Sequence, residues 1–386
     1  MKICFVSHDS GVQGAERALL DLVVNLKRDE KYCLHVILPS SKGGLCEKLK
    51  SNGIEVSIIP YYYWVSGRQK NVLKEVAKSM VNVISIFRLV MRFKKIRPDL
   101  VYSNSISINV AALSSFVLRL PHIWHFHEII DKKSEYDFTY GSRFSFWLIG
   151  KLCTNIIVVS DFLKEFYSYN LPLCNIIRLY QPVEIYQYQC LRNVHEKYLI
   201  RHDVVNCAVI GAVTKVKRQE DAIRATNIVN RNGLNINLWI VGECDGGYCE
   251  EMMSLVHDFG LVDVVSFIGY VDNVNDFIKN MDIVISCSVS EGFGRVIIES
   301  NLESVPVIGA NSGATPEIIE NDVTGLLYAP KDEVDLSKKI KQLVNDVDLR
   351  IKLGVTGKER AIRNFSSLGY MNKMDNLFQM TLICRK

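Results

Sequence analysis

The sequence predicts an α/β protein with two doubly wound, Rossmann-like domains. Short runs of β-branched residues alternate with amphipathic helical patterns, which is typical of parallel α/β units. The alternation occurs in two series, separated at residues 180–201 by a stretch that loses the strand rhythm and contains Gln181-Pro182. A chain of 386 residues also exceeds what one hydrophobic core usually organises, so two domains are expected.

Each series predicts one open parallel sheet. The first predicts strands at residues 2–7, 33–39, 54–60, 100–103, 122–126 and 156–160, and the second at residues 206–213, 238–242, 264–269, 283–287, 305–308 and 326–328. We therefore expect an N-terminal domain at 1–182, a C-terminal domain at 183–364 and a final helix at 365–386 that packs back across the junction. Ligands of such sheets lie outside the carboxyl ends of the strands, so two domains facing across a cleft would line it with strand-end loops.

Composition and charge exclude several classes of protein. A net charge of +4 is too weak to argue for nucleic acid, and no nucleic-acid motif supports it. The 11 cysteines are odd in number and scattered, with Cys244 and Cys249 the nearest approach to a cluster, which predicts a reducing cytosol. Residues 1–11 indicate a first strand rather than an export signal, and no apolar run approaches the roughly 20 residues that span a bilayer. We expect a cytoplasmic protein whose membrane contact, if any, is peripheral.

The most informative stretch is a glycine-rich turn between two carboxylates. It runs from Glu291 through Gly292, Phe293 and Gly294 towards Glu299, after a predicted strand and into a helix. A helix that opens there presents backbone N–H groups and a positive dipole end, which suit a diphosphate or sugar hydroxyls. The other interpretation is that Glu291 caps the helix and Glu299 is a solvated charge.

At this turn the sequence resembles a known family. Two glutamates separated by seven residues, within Glu-Gly-Phe-Gly, are similar to the signature of group 1, family 4, retaining glycosyltransferases of the GT-B architecture. After this turn the likeness continues through residues 305–308, 313–319 and 322–327. Before it, residues 211–225, 240–242 and 267–270 also fit the family. In the N-terminal half the likeness is looser, at residues 11–16 and 124–128. The resemblance implies the GT-B fold and transfer of a sugar from a nucleotide-diphosphate donor to a saccharide or lipid-linked saccharide acceptor, in surface polysaccharide synthesis.

The resemblance also implies roles for particular residues. Glu291 would contact the transferred sugar, Lys217 would neutralise the leaving diphosphate, and His127 would lie against the donor sugar; these three are the candidate catalytic residues. Glu299 would bind the ribose. The further donor-binding candidates are Gly14, Gly269, Tyr270, Val271, Gly292, Phe293 and Gly294, with Arg218 and Arg295 included loosely. An ordinary strand-to-helix turn at 11–16 and a satisfied strand-end histidine at His127 remain alternatives. No cofactor and no metal ion are expected, because cationic side chains take the place of a divalent ion.

The sequence departs from the family pattern at three places. Ala212 stands where the family usually has an arginine or a polar residue, and its methyl group cannot donate a hydrogen bond. Arg218 or Arg295 could supply the missing charge, or could be solvated surface residues. Ala314 replaces a second glycine, and residues 181–184 replace a frequent asparagine and aspartate. None of these changes removes a candidate catalytic group.

Residues 61–98 have a basic and aromatic character. Tyr61 to Trp64 are followed by Arg68, Lys70, Lys74, Lys78, Arg88, Arg92, Lys94, Lys95 and Arg97, against Glu75 as the acidic residue among them. Such a segment favours peripheral contact with an anionic membrane, which would suit a lipid-linked acceptor. The alternative is a helix packed on the core with a solvated basic face.

Two other classes of function remain open. The chain could be a sugar-nucleotide epimerase on the same fold, or a catalytically silent nucleotide-sugar binding protein, because a fold does not determine a function. A phosphorylase would need a cofactor-lysine context that the sequence lacks. A nicotinamide-dependent dehydrogenase is disfavoured, since Gly11 and Gly14 do not complete the dinucleotide-binding fingerprint.

Overall fold

The computed structural model describes residues 1–67, 71–130, 136–183, 198, 200, 203–244, 246–271 and 273–383. It divides into two compact units, the first formed by Met1–Pro182 with Ser367–Lys386 and the second by Val183–Ser366. Much of the predicted junction, at 184–197, 199 and 201–202, and Arg68 and Lys70 of the basic segment lie outside the described residues.

The first unit is built on a parallel sheet. Its strands are β1 (Lys2–Ser7), β2 (Cys33–Leu38), β3 (Glu55–Ile58), β4 (Val65–Gly67), β5 (Leu100–Asn104), β6 (His122–Phe126), β7 (Tyr136–Phe138), β8 (Asn155–Val158) and β9 (Ile176–Arg178). The sheet has the order β3-β2-β1-β5-β6-β8-β9, and β4 and β7 form a separate antiparallel pair. The helices are α1 (Gly14–Lys27), α2 (Leu45–Ser51), α3 (Val72–Ile96), α4 (Val110–Val117), α5 (Ser142–Leu152) and α6 (Asp161–Asn170).

Both faces of this sheet are buried. The central residues of β1 are all apolar, and because successive side chains point to opposite faces, both faces must be covered. Ile3 and Phe5 point to one face, into a core shared with α1 and α2, while Cys4 and Val6 point to the other, into a core shared with α3 and α4. The strand order reverses between β1 and β5. Loops on either side of such a switch point diverge and leave a crevice at the carboxyl ends of the strands.

The second unit repeats this plan. Its strands are β10 (Val205–Ile210), β11 (Ile236–Val241), β12 (Val265–Gly269), β13 (Ile283–Ser286), β14 (Val307–Ala310) and β15 (Leu326–Tyr328), all parallel in the order β12-β11-β10-β13-β14-β15. The helices are α7 (Gln219–Arg231), α8 (Gly247–Asp258), α9 (Val274–Ile278), α10 (Arg295–Leu302), α11 (Thr315–Ile318), α12 (Glu333–Asn345) and α13 (Val347–Asn364). The order reverses between β10 and β13, so a second crevice is expected there.

The last helix, α14 (Ser367–Ile383), belongs to the first unit. Tyr32 donates a hydrogen bond to Asp375, and the ring of Phe378 packs edge-on against Tyr32 and Tyr102. Asn155 donates to the Thr381 hydroxyl at 2.8 Å. These contacts place the end of the chain in the core built by its beginning.

All twelve predicted strands are present, within a residue or a few of the expected ends. In the described part of the chain β4, β7 and β9 were not predicted. Each is three residues long and contains a polar residue or glycine, whereas β15 is equally short but apolar throughout. The structure also joins Cys244 and Cys249 in a disulfide. A disulfide is at odds with the expected reducing cytosol, where thiols are kept reduced.

Candidate active site

Glycines end three neighbouring strands of the second unit. Gly211, Gly242 and Gly269 follow or close β10, β11 and β12, and all three have positive φ. Gly242 has φ 145°, and a Cβ there would lie 2.2 Å from the Gly211 carbonyl oxygen. Only glycine allows two strand ends to approach so closely, so the backbone at this edge is left without side-chain cover.

Lys217 and Glu291 meet at the switch point of the second sheet. Lys217 lies in the loop after β10 and Glu291 in the loop after β13, the two strands between which the order reverses. The Lys217 ammonium Nζ lies 2.7 Å from Glu291 Oε2, and the side chains are 35% and 15% exposed. The pair therefore combines a cation and a carboxylate that remain reachable from solvent, beside the glycine edge.

A neighbouring loop holds Glu291 in place. The Ala314 N–H donates to the Glu291 carbonyl at 2.9 Å, and Ser312 Oγ donates to the Val289 carbonyl at 2.6 Å. A Cβ at Gly313, where φ is 59°, would lie 2.7 Å from the Glu291 backbone. Because Ala314 acts through its backbone N–H and is buried, the loss of a glycine at this position leaves the support intact.

The helix after the glycine-rich turn carries Arg295 and Glu299. Gly294 has φ 91° and precedes Arg295, the first residue of α10. Arg295 Nε lies 4.0 Å from Glu299 Oε1, and both side chains are largely buried. Glu299 is therefore not a solvated charge, and the N-cap of α10 is Gly294 rather than Glu291. Phe293 is buried with its ring edge-on to Phe365, which makes it a core residue rather than an exposed contact.

Arg218 is held by acids in the first turn of α7, the helix that it precedes. Its guanidinium lies 2.7 Å from Asp221 Oδ1 and 3.0 Å from Glu220 Oε1, and the hydrogen bond with the buried Asp221 raises the pKa of Arg218. The loop between Ala212 and this helix is closed by Gln219, which donates to the Ala212 carbonyl at 3.0 Å and accepts from the Thr214 N–H at 3.3 Å. The charge of Arg218 is therefore committed to α7, and Gln219 is a supporting residue that the sequence did not single out.

Residues 269–271 follow β12 at the edge of the same sheet. Gly269 accepts the Gly242 N–H at 2.8 Å through its carbonyl group, which links the ends of β11 and β12. Tyr270 is exposed and Val271 is partly exposed. These residues present backbone and an aromatic ring at the surface of the unit.

In the first unit, His127 lies between two amides. His127 Nε2 is 2.8 Å from Asn104 Oδ1, and Nδ1 is 2.7 Å from Gln181 Nε2. An amide oxygen only accepts and an amide nitrogen only donates, so the neutral ring carries its proton on Nε2. Asn104 also donates to the Ala15 carbonyl at 3.0 Å, which ties His127 to the first turn of α1. Gly14 begins that helix and is exposed.

A cluster of ionisable residues surrounds the switch point of the first sheet. His8 Nε2 lies 2.9 Å from Glu16 Oε1, and Tyr63 donates to Asp9 at 2.6 Å. Burial alone would lower the pKa of His8, but the hydrogen bond and charge of Glu16 outweigh it and the pKa is raised. Burial raises the pKa of Glu128, which accepts from Ser105. Glu16 and Glu128 were visible only within the family match and Tyr63 only within the aromatic start of the basic segment, while no sequence pattern pointed to His8 or Asp9.

The structure brings some predicted residues together and not others. Lys217 and Glu291 form an ion pair, and Arg295 lies next to Glu299, all in the second unit. Gly292 and Gly294 form the turn between these pairs. His127 and Gly14 belong to the first unit.

Known proteins resemble this chain over most of its length. It is 24% identical to the capsular polysaccharide biosynthesis glycosyltransferase CapM of Staphylococcus aureus, over 77% of this chain and 81% of that protein. It is 30% identical to the N-acetyl-alpha-D-glucosaminyl L-malate synthase of Bacillus anthracis, over 44% of each. The crystal structure of Anabaena Alr3699/HepE in complex with UDP-glucose superimposes with a TM-score of 0.81 at 20% identity, covering 98% of this chain and 100% of that chain.

Two family models match consecutive parts of the sequence. The model described as Glycosyltransferase Family 4 matches residues 12–184, and the model described as Glycosyl transferases group 1 matches residues 192–360. The first covers the loop before α1 and His127, and the second covers Lys217, Glu291 and Glu299. The chain therefore belongs to the group 1 glycosyltransferases, with the GT-B fold.

Proposed function

We propose that this glycosyltransferase is a retaining, metal-independent hexosyltransferase that uses a nucleotide-diphosphate sugar. Its acceptor is a saccharide or a lipid-linked saccharide, and its product contributes to a surface polysaccharide. The observation that carries the proposal is the Lys217–Glu291 pair, 2.7 Å apart at the switch point of the second sheet and next to the glycine-rich start of α10.

The pair and the helix start supply the charge that the reaction needs. A departing diphosphate develops negative charge, which an ammonium group and unpaired N–H groups at a helix N-terminus stabilise. When the diphosphate draws Lys217 to itself, Glu291 is released to accept hydrogen bonds from the transferred sugar. Because Lys217 and the helix dipole supply positive charge at this position, no divalent ion is required.

Retention follows from reaction on one face of the sugar. The bond between the anomeric carbon and the diphosphate oxygen breaks, the acceptor oxygen bonds to the same face, and the acceptor proton passes to the leaving phosphate. His127, whose two ring nitrogens are both held by amides, has a fixed ring orientation and is suited to lie against the donor sugar. Glu299 binds the ribose, while residues 269–271 meet the base.

The proposed membrane contact uses the basic segment at 61–98. Within α3 the chain has Lys74, Lys78, Arg88, Arg92, Lys94 and Lys95 against one acidic residue, Glu75. This excess of positive charge supports attraction to the anionic inner face of a cell membrane, where a lipid-linked acceptor would be found. None of the helices in the described ranges has the length and apolar character needed to cross a bilayer.

The test is a screen of UDP-, GDP- and ADP-sugars for hydrolysis and for transfer, starting with UDP-glucose because HepE was crystallised with it. We expect turnover that persists in EDTA, an α-linked product from an α-linked donor by NMR, and loss of turnover in Glu291→Gln. Glu251→Gln, whose carboxylate is well exposed, is the matched control.

Other outcomes identify the competing functions. Thermal stabilisation by a donor without turnover, even with lipid-linked acceptors, would indicate a silent binding protein. Conversion of one nucleotide sugar into another would indicate an epimerase. Either result would overturn the proposed transfer reaction.

A further inference from the structure

Helix α3 has, besides its basic residues, a stripe of apolar side chains that are exposed to solvent. Its buried side faces the sheet through Leu89 and Phe93. On the other side Leu73 is 82% exposed and Phe87 is 67% exposed. The exposed apolar residues of this helix are Val72, Leu73, Val76, Met80, Val83, Ile84, Phe87 and Met91. At about 100° per residue they fall within an arc of about 120°, directed away from the sheet.

The stripe continues onto exposed aromatic rings at α5. Tyr140 OH lies 2.6 Å from Ser79 Oγ of α3, so the two segments touch. The Tyr140 ring meets the Phe144 ring at 6.4 Å, and the Phe144 ring meets the Trp147 ring at 5.7 Å. All three rings are exposed. One surface therefore extends from the exposed side of α3 to the exposed side of α5.

Positive charge borders this surface. The exposed basic residues on the two helices are Lys74, Arg88, Lys94, Lys95, Arg143 and Lys151. Glu75 is paired with Lys78 at 2.8 Å and also accepts from Thr139, so its charge is balanced within the fold. An apolar stripe with aromatic rings and a basic border matches the chemistry of a bilayer interface, which offers acyl chains, headgroups and anionic charge.

We propose that α3 and α5 together form one membrane-docking face, which inserts its apolar and aromatic side chains at the headgroup level of an anionic bilayer. The proposal rests on the proposed lipid-linked acceptor and adds a second helix and an apolar insertion to the basic contact. The basic border favours this occupant over a second copy of the chain, because two such faces would bring like charges together.

Trp147 is a natural probe of this face. The sequence has four tryptophans, and Trp64, Trp124 and Trp239 are buried while Trp147 is 58% exposed. Lipids with brominated acyl chains quench tryptophan on contact, so quenching reports on Trp147. The experiment uses the whole protein, without donor, and vesicles of phosphatidylglycerol and phosphatidylcholine carrying brominated chains, with pure phosphatidylcholine as the uncharged comparison.

We expect a blue shift and quenching of Trp147 on the anionic vesicles, both absent in Trp147→Phe. Phe87→Asp should weaken vesicle binding about tenfold or more, because it removes an inserted ring and adds a charge. Leu173→Asp is the matched control: Leu173 is 99% exposed in the same unit but lies outside the two helices, so binding should be unchanged.

Three results would overturn the inference. Vesicle binding that leaves Trp147 unquenched would limit the contact to surface charge, and binding that survives Phe87→Asp would exclude insertion of α3. A dimer that Phe87→Asp dissociates, with no vesicle binding by the native protein, would assign the face to a second copy. Donor hydrolysis, measured without lipid, tests the proposed reaction separately.

Discussion

Lys217 and Glu291 neutralise each other although 74 residues separate them in the chain. An ammonium group that is already paired with a carboxylate can bind a diphosphate only if the diphosphate replaces the carboxylate as its partner. In the proposed reaction this exchange would free Glu291, so binding of the donor would be linked to preparation of the group that meets the sugar. The geometry of this pair gives a prediction that separates Lys217 from ordinary surface lysines.

Lys217→Met should lower kcat/KM for the active donor about 100- to 1000-fold, because one preorganised charge on the leaving group is lost. Steady-state kinetics of donor hydrolysis measures the change. Lys215→Met is the control, since Lys215 lies two residues away, is mostly exposed and, among the described residues, has its ion pair with Glu251 at the long distance of 4.0 Å. Equal effects of the two substitutions would remove Lys217 from the reaction.

His8 and Glu16 make the stability of the first unit depend on pH. The pKa of His8 is raised, so the pair stabilises the folded state fully below the unfolded value of about 6.5 and loses this contribution as pH rises through the folded value. The difference in unfolding free energy between native protein and Glu16→Gln should therefore be larger at pH 6 than at pH 9. Urea denaturation at both pH values measures it, and a constant difference would contradict the role of the pair.

The charged residues of the candidate site were more predictable from the sequence than the neutral ones. Lys217 and Glu291 follow predicted strands, and strand ends of a parallel sheet converge, so their proximity was foreseeable. Gln181 and Asn104 hold His127 through uncharged amides. The sequence singles out Gln181 only as part of the junction and as a departure from the family pattern, and it does not single out Asn104. Their positions depend on strand order, which local patterns do not encode.

At the scale of elements, the ends of β10 and β11 lie so close together that the second sheet tolerates few substitutions of the glycines there. Gly242→Ala should lower the free energy of unfolding by at least about 1–3 kcal/mol, because a Cβ would overlap the Gly211 carbonyl at a φ that other residues avoid. Gly247→Ala is the control, with open space around the added methyl group. Urea denaturation of the two variants measures the contrast, and equal midpoints would contradict it.

The disulfide between Cys244 and Cys249 closes a short loop after β11. Loop-closure entropy for so few residues gives about 2 kcal/mol of stabilisation. Reduction with dithiothreitol should lower the free energy of unfolding of the native protein by about that amount. The Cys244→Ser/Cys249→Ser variant should not respond, and an equal response would locate the effect at another pair.

The strands themselves were predictable where they are mainly apolar, and this includes the three-residue β15. Each of the twelve strands inferred from β-branched runs is present, whereas β4, β7 and β9 are three residues long and owe their pairing to neighbours. A three-residue segment of mixed composition contains no pattern that identifies it as a strand. Tertiary contacts decide such elements.

At the scale of the whole molecule, the first unit is completed by the last helix of the chain. Tyr370, Met374, Leu377 and Phe378 join the core built around β1, β2 and β5. Periodicity indicated a helix at this position, but the partners of its apolar side depend on where the chain returns. A contact between residues 32 and 375 can form only after the 342 residues between them have been synthesised.

Because α14 completes this core, a destabilising substitution in α14 should unfold the strands at the beginning of the chain. Phe378→Ala should destabilise the first unit by about 3–5 kcal/mol, because a fully buried ring is removed from a core that includes Tyr32 and Tyr102. Hydrogen exchange should show the loss in β1, β2 and β5 while β10, β11 and β13 keep their protection. Met380→Ala, on the exposed side of the same helix, should change neither set. Equal loss of protection in both sheets would instead mean that the two units unfold as one.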